Sequence, residues 1–326
     1  MALPPILTDR LRLPVVASPM FIVSNPDLVI AQCTSGIIGS FPTLNARPQS
    51  QLREWLTRIT ETLAKYDANN PDVPCAPFAV NLIVHKSNDR LAEDLATVVE
   101  FRVPIVITSL GARADVNDAI HSYGGIVLHD IINDRFARKA IEKGADGLIA
   151  VAAGAGGHAG TQSPFALIQE IRTWFDGPLL LSGSIAHGRS ILAAQAAGAD
   201  LAYIGSAFIA TEEANAVDGY KQMIVDSNAC GIVYSNLFTG VHGNYLRGSI
   251  TAAGLDPDNL AVSDPSTMNI ASGASGGAGS IRAWRDVWGA GHGIGAIDAI
   301  VPTADLVARL DDEYNIARNR LLLDQN

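Results

Sequence analysis

Histidine is the side chain whose ordinary pKa lies nearest neutrality, and His158 stands in this chain with little but backbone around it. Between Val151 and Pro164 the sequence places four glycines, Gly154, Gly156, Gly157 and Gly160, and from Gly154 to Gly160 His158 is the one residue with acid–base chemistry near pH 7. Glycine has no Cβ, so the amides of such a stretch stay open to close approach by a ligand. A proton-handling group beside bare backbone suggests an active-site loop. Two later stretches pair glycine with serine: Ser182-Gly183-Ser184-Ile185-Ala186-His187-Gly188 and Gly205-Ser206-Ala207. Their amides and hydroxyls suit a phosphate dianion.

The remaining chemistry is thin. The chain has seven histidines, none forming a metal-ligand pair at helical spacing. His121 is expected on a helix surface and His129 at a strand end that can face the site. His187 falls inside a proposed phosphate loop, where a ligand role and a solvent-facing turn are equally open. Cys33, Cys75 and Cys230 are odd in number and far apart, which fits buried thiols better than a disulfide framework or a zinc pair. Neither a Gly-x-Ser-x-Gly elbow nor a phosphate-loop lysine motif occurs.

These loops need strands to hold them. Short apolar runs recur from Pro14-Val15-Val16-Ala17 through Ile37–Phe41, Phe78–Leu82, Ile105–Thr108, Ile126–His129, Gly147–Val151 and Leu179–Ser182 to Leu201–Ile204. Between them lie segments with helical spacing, such as Leu52, Leu56, Ile59 and Leu63. Gly144-Ala145-Asp146 and Gly198-Ala199-Asp200 repeat one unit's ending, with glycine where a helix stops. Repeated βα units with buried strands imply a parallel sheet, and eight units within about 200 residues favour a closed (β/α)8 TIM barrel over an open doubly wound sheet. In such a barrel the loops after the strands carry function, and phosphate sites favour the loops after the last two strands. Those are the serine–glycine loops.

Gly154-x-Gly156-x-x-Ala159 also fits the dinucleotide-binding fingerprint. The next strand ends in Ser182 where that motif wants a carboxylate, and Asp176 lies before the strand, so this reading is weaker. From Gly231 the βα pattern breaks into turn signals such as Asp256-Pro257-Asp258 and Asp264-Pro265-Ser266. Residues 231–295 are therefore expected to form an inserted lid with a late loop, and residues 1–230 and 296–326 the barrel. The helical spacing of Leu306, Leu310, Tyr314 and Ala317 is expected to close the outer ring.

With 326 residues, 48% hydrophobic and only 17% charged, the chain can bury a large α/β core. A formal charge of −10 disfavours a nucleic-acid partner. No run reaches membrane-spanning length and the start lacks signal-peptide character, so a cytoplasmic protein without a membrane partner is expected.

With these residues assembled, the chain resembles the nitronate monooxygenase family, formerly the 2-nitropropane dioxygenases, which includes FMN-dependent enoyl-acyl carrier protein and quinone reductases. The matching stretches are Ala17-Ser18-Pro19-Met20, Val80-Asn81-Leu82, Ala155-Gly156-Gly157-His158-Ala159-Gly160, Ser182 to Arg189, and Tyr203-Ile204-Gly205-Ser206-Ala207-Phe208, with Trp288-Gly289-Ala290-Gly291-His292-Gly293 as a late loop. The resemblance implies noncovalent FMN in the barrel, its phosphate on Gly183, Ser184, Gly205 and Ser206 and its ring near Met20 and Asn81. Ser18, Gly157 and Ser182 complete the implied cofactor set. His158 would face the substrate above the flavin, and alkyl nitronates would be oxidised with O2 to a carbonyl compound and nitrite. His292, His242 and Tyr245 are candidate substrate or lid contacts. An NAD(P)H-dependent quinone or enoyl-thioester reductase is the alternative enzyme, and a flavin- or phospholigand-binding sensor the non-enzyme alternative. A homodimer stays open. Ser182, Ser184 and His187 replace residues usual in the family's phosphate loop, and His292 stands where many relatives carry Gln; His187 would there add a cationic contact.

Overall fold

The computed structural model describes residues 3–264 and 281–323. In chain order its strands are β1 (Val15–Ala17), β2 (Gly39–Pro42), β3 (Phe78–Ile83), β4 (Ile105–Ser109), β5 (Ile126–Ile131), β6 (Gly147–Val151), β7 (Gly157–His158), β8 (Leu179–Ser182), β9 (Leu201–Ile204), β10 (Ile232–Ser235) and β11 (Gly243–Leu246). Eight of them form one parallel sheet in the order β1-β9-β8-β6-β5-β4-β3-β2. Its two ends meet: Ala17 N–H donates to Ile38 O at 2.8 Å and Ile38 N–H to Val15 O at 3.1 Å. The protein is a TIM barrel, and the dinucleotide-fold reading of the glycines falls with that closure.

Strand side chains alternate, and the core divides accordingly. Val16, Ala79, Ile105, Ile107, Leu128, Ile149, Leu180 and Leu201 pack together inside the ring, while their neighbours Val15, Ala17, Val106, Val127, Leu148, Ala150 and Ala202 pack outward under the helices. Strands buried on both faces read as continuous apolar runs, which is how they stand in the sequence. Leu7, from the turn at Pro5–Leu7, joins the inner cluster.

The helices on the outer face are α1 (Pro26–Thr34), α2 (Gln51–Asn69), α3 (Leu91–Glu100), α4 (Ala114–His121), α5 (Asp134–Glu142), α6 (Pro164–Arg172), α7 (Gly188–Ala196), the short α8 (Ser206–Ile209) and α9 (Asp218–Val225). Asn25 and Asn133 cap α1 and α5 by accepting from Leu28 N–H at 2.8 Å and Phe136 N–H at 3.0 Å. The repeated Gly-Ala-Asp has a physical cause. Gly144 and Gly198 adopt φ of +90° and +109° to end their helices, a conformation only glycine takes without strain. Two residues on, Asp146 accepts from Val127 N–H at 2.7 Å and Asp200 from Leu179 N–H at 2.8 Å, tying each incoming strand to the one before it.

After α10 (Arg247–Ala252), the last helix, α11 (Thr303–Leu323), packs against α1 and α7, as expected of a helix closing the outer ring. In the stretch after α9, Leu237, Phe238, Tyr245, Ile250, Ala283 and Val287 form a small core of their own, here the cap, while Leu246, Ala290 and Ile294 pack into the barrel core. The cap joins the barrel through a second sheet, β10-β11-β7, in which Gly243 pairs with His158 and Asn244 with Gly157. The glycine–histidine stretch, expected to be loop throughout, thus contributes a strand to the cap. Of the expected turns, Asp256-Pro257-Asp258 closes with Asp258 N–H on Asp256 Oδ1 at 3.0 Å. Pro265 and Ser266 lie outside the described residues.

Candidate active site

One step further along the strands, the inward layer of the barrel turns polar. Counting two residues on from the apolar layer gives Ser18, Asn81, Ser109, Asp130, Ser182 and Tyr203, with Pro42 and Val151 completing the ring. All eight line one cavity of about 610 Å³ at the C-terminal end of the barrel, a volume typical of small-molecule sites. Strand register makes the floor.

The floor is wired. Asn81 Nδ2 donates to Ile107 O at 3.1 Å and to Ser109 Oγ at 2.7 Å, and Ser109 Oγ donates to Asp130 Oδ2 at 2.5 Å. Asp130 Oδ1 is buried without a hydrogen-bond partner. Burial pushes the Asp130 carboxyl up to about 6, only partly offset by Ser109. Tyr203 is buried and its phenol raised well above the usual value, first by burial and then by Asp130, so it stays neutral.

His158 enters from the cap side. Its Nε2 lies 2.9 Å from Thr239 Oγ1, and that hydroxyl spends its single hydrogen on Val241 O at 3.0 Å. The imidazole must therefore donate from Nε2. Burial pushes its pKa down to about 4, so at neutral pH the ring is uncharged and Nδ1 keeps its lone pair. Trp284, another cavity-lining residue, meets the ring edge-on at 5.6 Å between centroids.

The glycines serve two distinct purposes. A Cβ on Gly291 would fall 2.5 Å from Gly154 O, one on Gly156 2.8 Å from Gly291 N, and one on Gly183 2.8 Å from Ala153 O. These three let loops interlock. At Gly205 a Cβ would meet only Ser18 Cβ at 3.4 Å and Met20 Sδ at 3.7 Å, so the missing side chain opens space in the cavity itself.

The structure gathers Ser18, Met20, Asn81, Gly157, His158, Ser182, Gly205 and Ser206 around this cavity. Gly183 and Ser184 are not among its lining residues, and Ser184 N–H is committed to Gly154 O at 3.2 Å. His187 caps α7, accepting from Arg189 N–H at 3.1 Å, and faces Glu313 at 3.1 Å. His292 is exposed at the start of a turn whose N–H bonds Gly154 O at 2.9 Å. His242 is exposed and stacks on Tyr234 at 5.0 Å. Tyr245 is fully buried in the cap, tilted against Trp284 at 5.4 Å between ring centroids. His121 is exposed and pairs with Asp146 at 2.8 Å. His129 borders the cavity from the outward face of β5, its Nδ1 2.6 Å from Thr108 Oγ1.

Sequence reasoning missed Ser109, Asp130, Tyr203, Thr239 and Trp284. A polar residue two positions beyond the last inward apolar one was the available signal for the first three. Trp284 and Thr239 carried none, because only the fold brings the cap onto His158.

Against this geometry, comparison with known proteins is specific. The nitronate monooxygenase family model matches residues 5–313. A nitronate monooxygenase of Paraburkholderia phytofirmans is 26% identical over 92% of each chain. A (3aS,4S,5R,7aS)-5-hydroxy-7a-methyl-1-oxo-octahydro-1H-indene-4-carboxyl-CoA dehydrogenase of Rhodococcus jostii is 25% identical over 74% of this chain and 68% of its own. Among solved structures, FabK from Thermotoga maritima shares the fold at a TM-score of 0.76 and 22% identity, covering 97% of this chain and 96% of its own. A nitroalkane oxidase from Streptomyces ansochromogenes reaches 0.74 at 25% identity, covering 97% and 99%. With the match running through barrel, cap and the first half of the final helix, the chain is an oxidoreductase and belongs to the nitronate monooxygenase family.

Proposed function

We propose that the protein binds FMN at the top of its barrel and oxidises alkyl nitronates with O2 to a carbonyl compound and nitrite. The observation that carries the reading is one cavity uniting a side-chain-free position at Gly205, a polar floor and a neutral histidine. Gly205, Ser206 and Ser182 would hold the phosphate. Ser206 accepts from Gly291 N–H at 2.9 Å, which leaves its own hydrogen to donate. Met20, Asn81, Ser18 and Gly157 would flank the ring. Gly183 and Ser184 would act by shaping that loop, since the Ser184 amide is already bonded. His292, His242 and Tyr245 would support the cap and its contacts with the barrel.

Bound FMN supplies the electron acceptor that the side chains lack. The residues supply position and proton control. With Nε2–H fixed on Thr239, His158 Nδ1 is a base able to take the α-proton of a substrate that arrives as an unionised nitroalkane. The same step leaves an Nδ1–H on a doubly protonated ring beside the new nitronate, whose charge would offset the burial that otherwise opposes that state. Val241, Trp284 and Gly289 bring the cap to the wall of the cavity.

Purified protein should be yellow and release FMN on denaturation. Under anaerobic conditions propyl nitronate should change the flavin spectrum at a rate matching turnover, and NADH should not. Bleaching by NADH at a competent rate would move the assignment to the quinone or enoyl-thioester reductase class. Colourless protein that FMN cannot reconstitute would end the flavin reading altogether.

A further inference from the structure

The floor of the cavity holds an ionisable group that the proposed reaction leaves unused. Asp130 occupies the inward position of β5 one step above Leu128, and its carboxyl is presented by a chain of defined direction. Both hydrogens of Asn81 Nδ2 are spent, on Ile107 O and Ser109 Oγ, so the Ser109 hydroxyl must give its own hydrogen to Asp130 Oδ2. Oδ2 is therefore an acceptor in either protonation state. When the carboxyl is protonated, the proton belongs on Oδ1, the oxygen that has no partner in the protein.

A buried polar atom without a partner needs an explanation, and because Asp130 is a cavity-lining residue, the simplest is what the cavity binds. No guanidinium or ammonium among the described residues makes an ion pair with Asp130. The titratable groups sharing the cavity with it are Tyr203 on β9, Tyr220 on α9 and His158 on β7, all neutral, and Lys139 on α5; His129 beside it turns to Thr108. The floor position meets the first group to enter the barrel, which under the reading above is the flavin.

We infer that Asp130 is a second proton-bearing contact of this site, donating a hydrogen bond from Oδ1 to an acceptor atom on the flavin ring. The inference rests on the FMN reading and adds a proton to it: cofactor binding is coupled to protonation of Asp130. With the free carboxyl titrating at about 6, affinity is full below that pH. As pH rises above it, affinity falls by up to about tenfold per unit, until the carboxyl in the complex also ionises.

The test is FMN titration of apoprotein, followed by fluorescence between pH 5.5 and about 8, for wild type and Asp130→Asn. The asparagine keeps an oxygen for Ser109 and places an N–H where Oδ1 was, so the variant should hold the low-pH affinity across the range. Titration of the FMN phosphate is common to both proteins and cancels in the comparison. An infrared difference spectrum of wild type on FMN binding at pH 7.5 should show the C=O band of a protonated carboxyl, a readout that needs no variant. Equal pH profiles, or absence of that band, would overturn the Asp130 assignment and leave the cofactor in place. Failure of both proteins to bind FMN at any pH would overturn the cofactor reading and the assignment together.

Discussion

His158 Nε2 and Thr239 Oγ1 lie 2.9 Å apart across the seam between barrel and cap, and the direction of that bond decides which ring nitrogen can do chemistry. Thr239 is itself held by Val241, to whose carbonyl it donates and from whose amide it accepts at 3.3 Å. The cap therefore reaches the cavity and also sets the tautomer of His158.

Replacing Thr239 by Val should leave the buried Nε2–H unmet and mix the two tautomers. Orientation is part of what general-base catalysis is worth, so kcat/KM toward an unionised nitroalkane should fall about 10- to 100-fold. Toward a preformed nitronate, which needs no deprotonation, the loss should be smaller, and Thr239→Ser should restore both. Because the His158 base is neutral above about 4, the nitroalkane profile should be flat through neutrality and decline only as pH falls toward that value. Equal losses on both substrates would contradict the base assignment.

Two glycines separate loop packing from ligand space. A Cβ on Gly291 meets a carbonyl oxygen at 2.5 Å, so Gly291→Ala should cost about 1–3 kcal/mol of stability, read as a lower midpoint in urea. Gly205→Ala meets nothing closer than 3.4 Å and should unfold like wild type, yet weaken FMN binding at least about tenfold, about 1.4 kcal/mol. Unchanged FMN affinity in Gly205→Ala would remove that residue from the proposed phosphate site.

Much of this was legible from one dimension. The apolar runs, the serine–glycine loops at their ends and the isolation of His158 follow from residue type and period alone. The floor was not legible as a layer: Asn81 entered only through the family resemblance and Ser109 and Asp130 not at all, because each looks like a single polar residue closing an apolar run. Only the register, in which Asn81 pairs with Ile107 and Thr108 with His129, puts the three in one layer. Direction was the other unknown. On β11, Asn244 turns to Ala155 O at 2.6 Å, so the adjacent Tyr245 points the opposite way into the cap core, which a pattern of alternation cannot decide without the partner strand.

His187 shows how a reasonable motif reading changes once a helix is in place. Its ring caps α7 and faces Glu313 on α11, whose other carboxylate contacts include Gly188 N–H at 2.8 Å and Arg309 at 3.0 Å. His187→Asn should preserve the cap, since asparagine accepts from the same amide, and leave FMN affinity within about twofold. A drop of tenfold or more, measured by fluorescence, would instead place the histidine on the phosphate.

Asp130 and His129 sit side by side on β5 with opposite consequences for stability. Burial raises the Asp130 carboxyl from 3.8 to about 6, so its contribution is intact below the lower value and lost as pH rises through the interval. Burial lowers the His129 imidazole from 6.5 to about 4, so the folded state loses ground as pH falls through that interval. Apoprotein carrying Asp130→Asn should therefore be more stable than wild type at pH 7.5, by about 1–3 kcal/mol in urea unfolding, with the gain vanishing by about pH 4. The loss on acidification belongs to His129 together with the equally depressed His158 and should remain in the variant. A gain of the same size at both pH values would mean that the asparagine packs better, and that the charge on Asp130 was never what the floor had to accommodate.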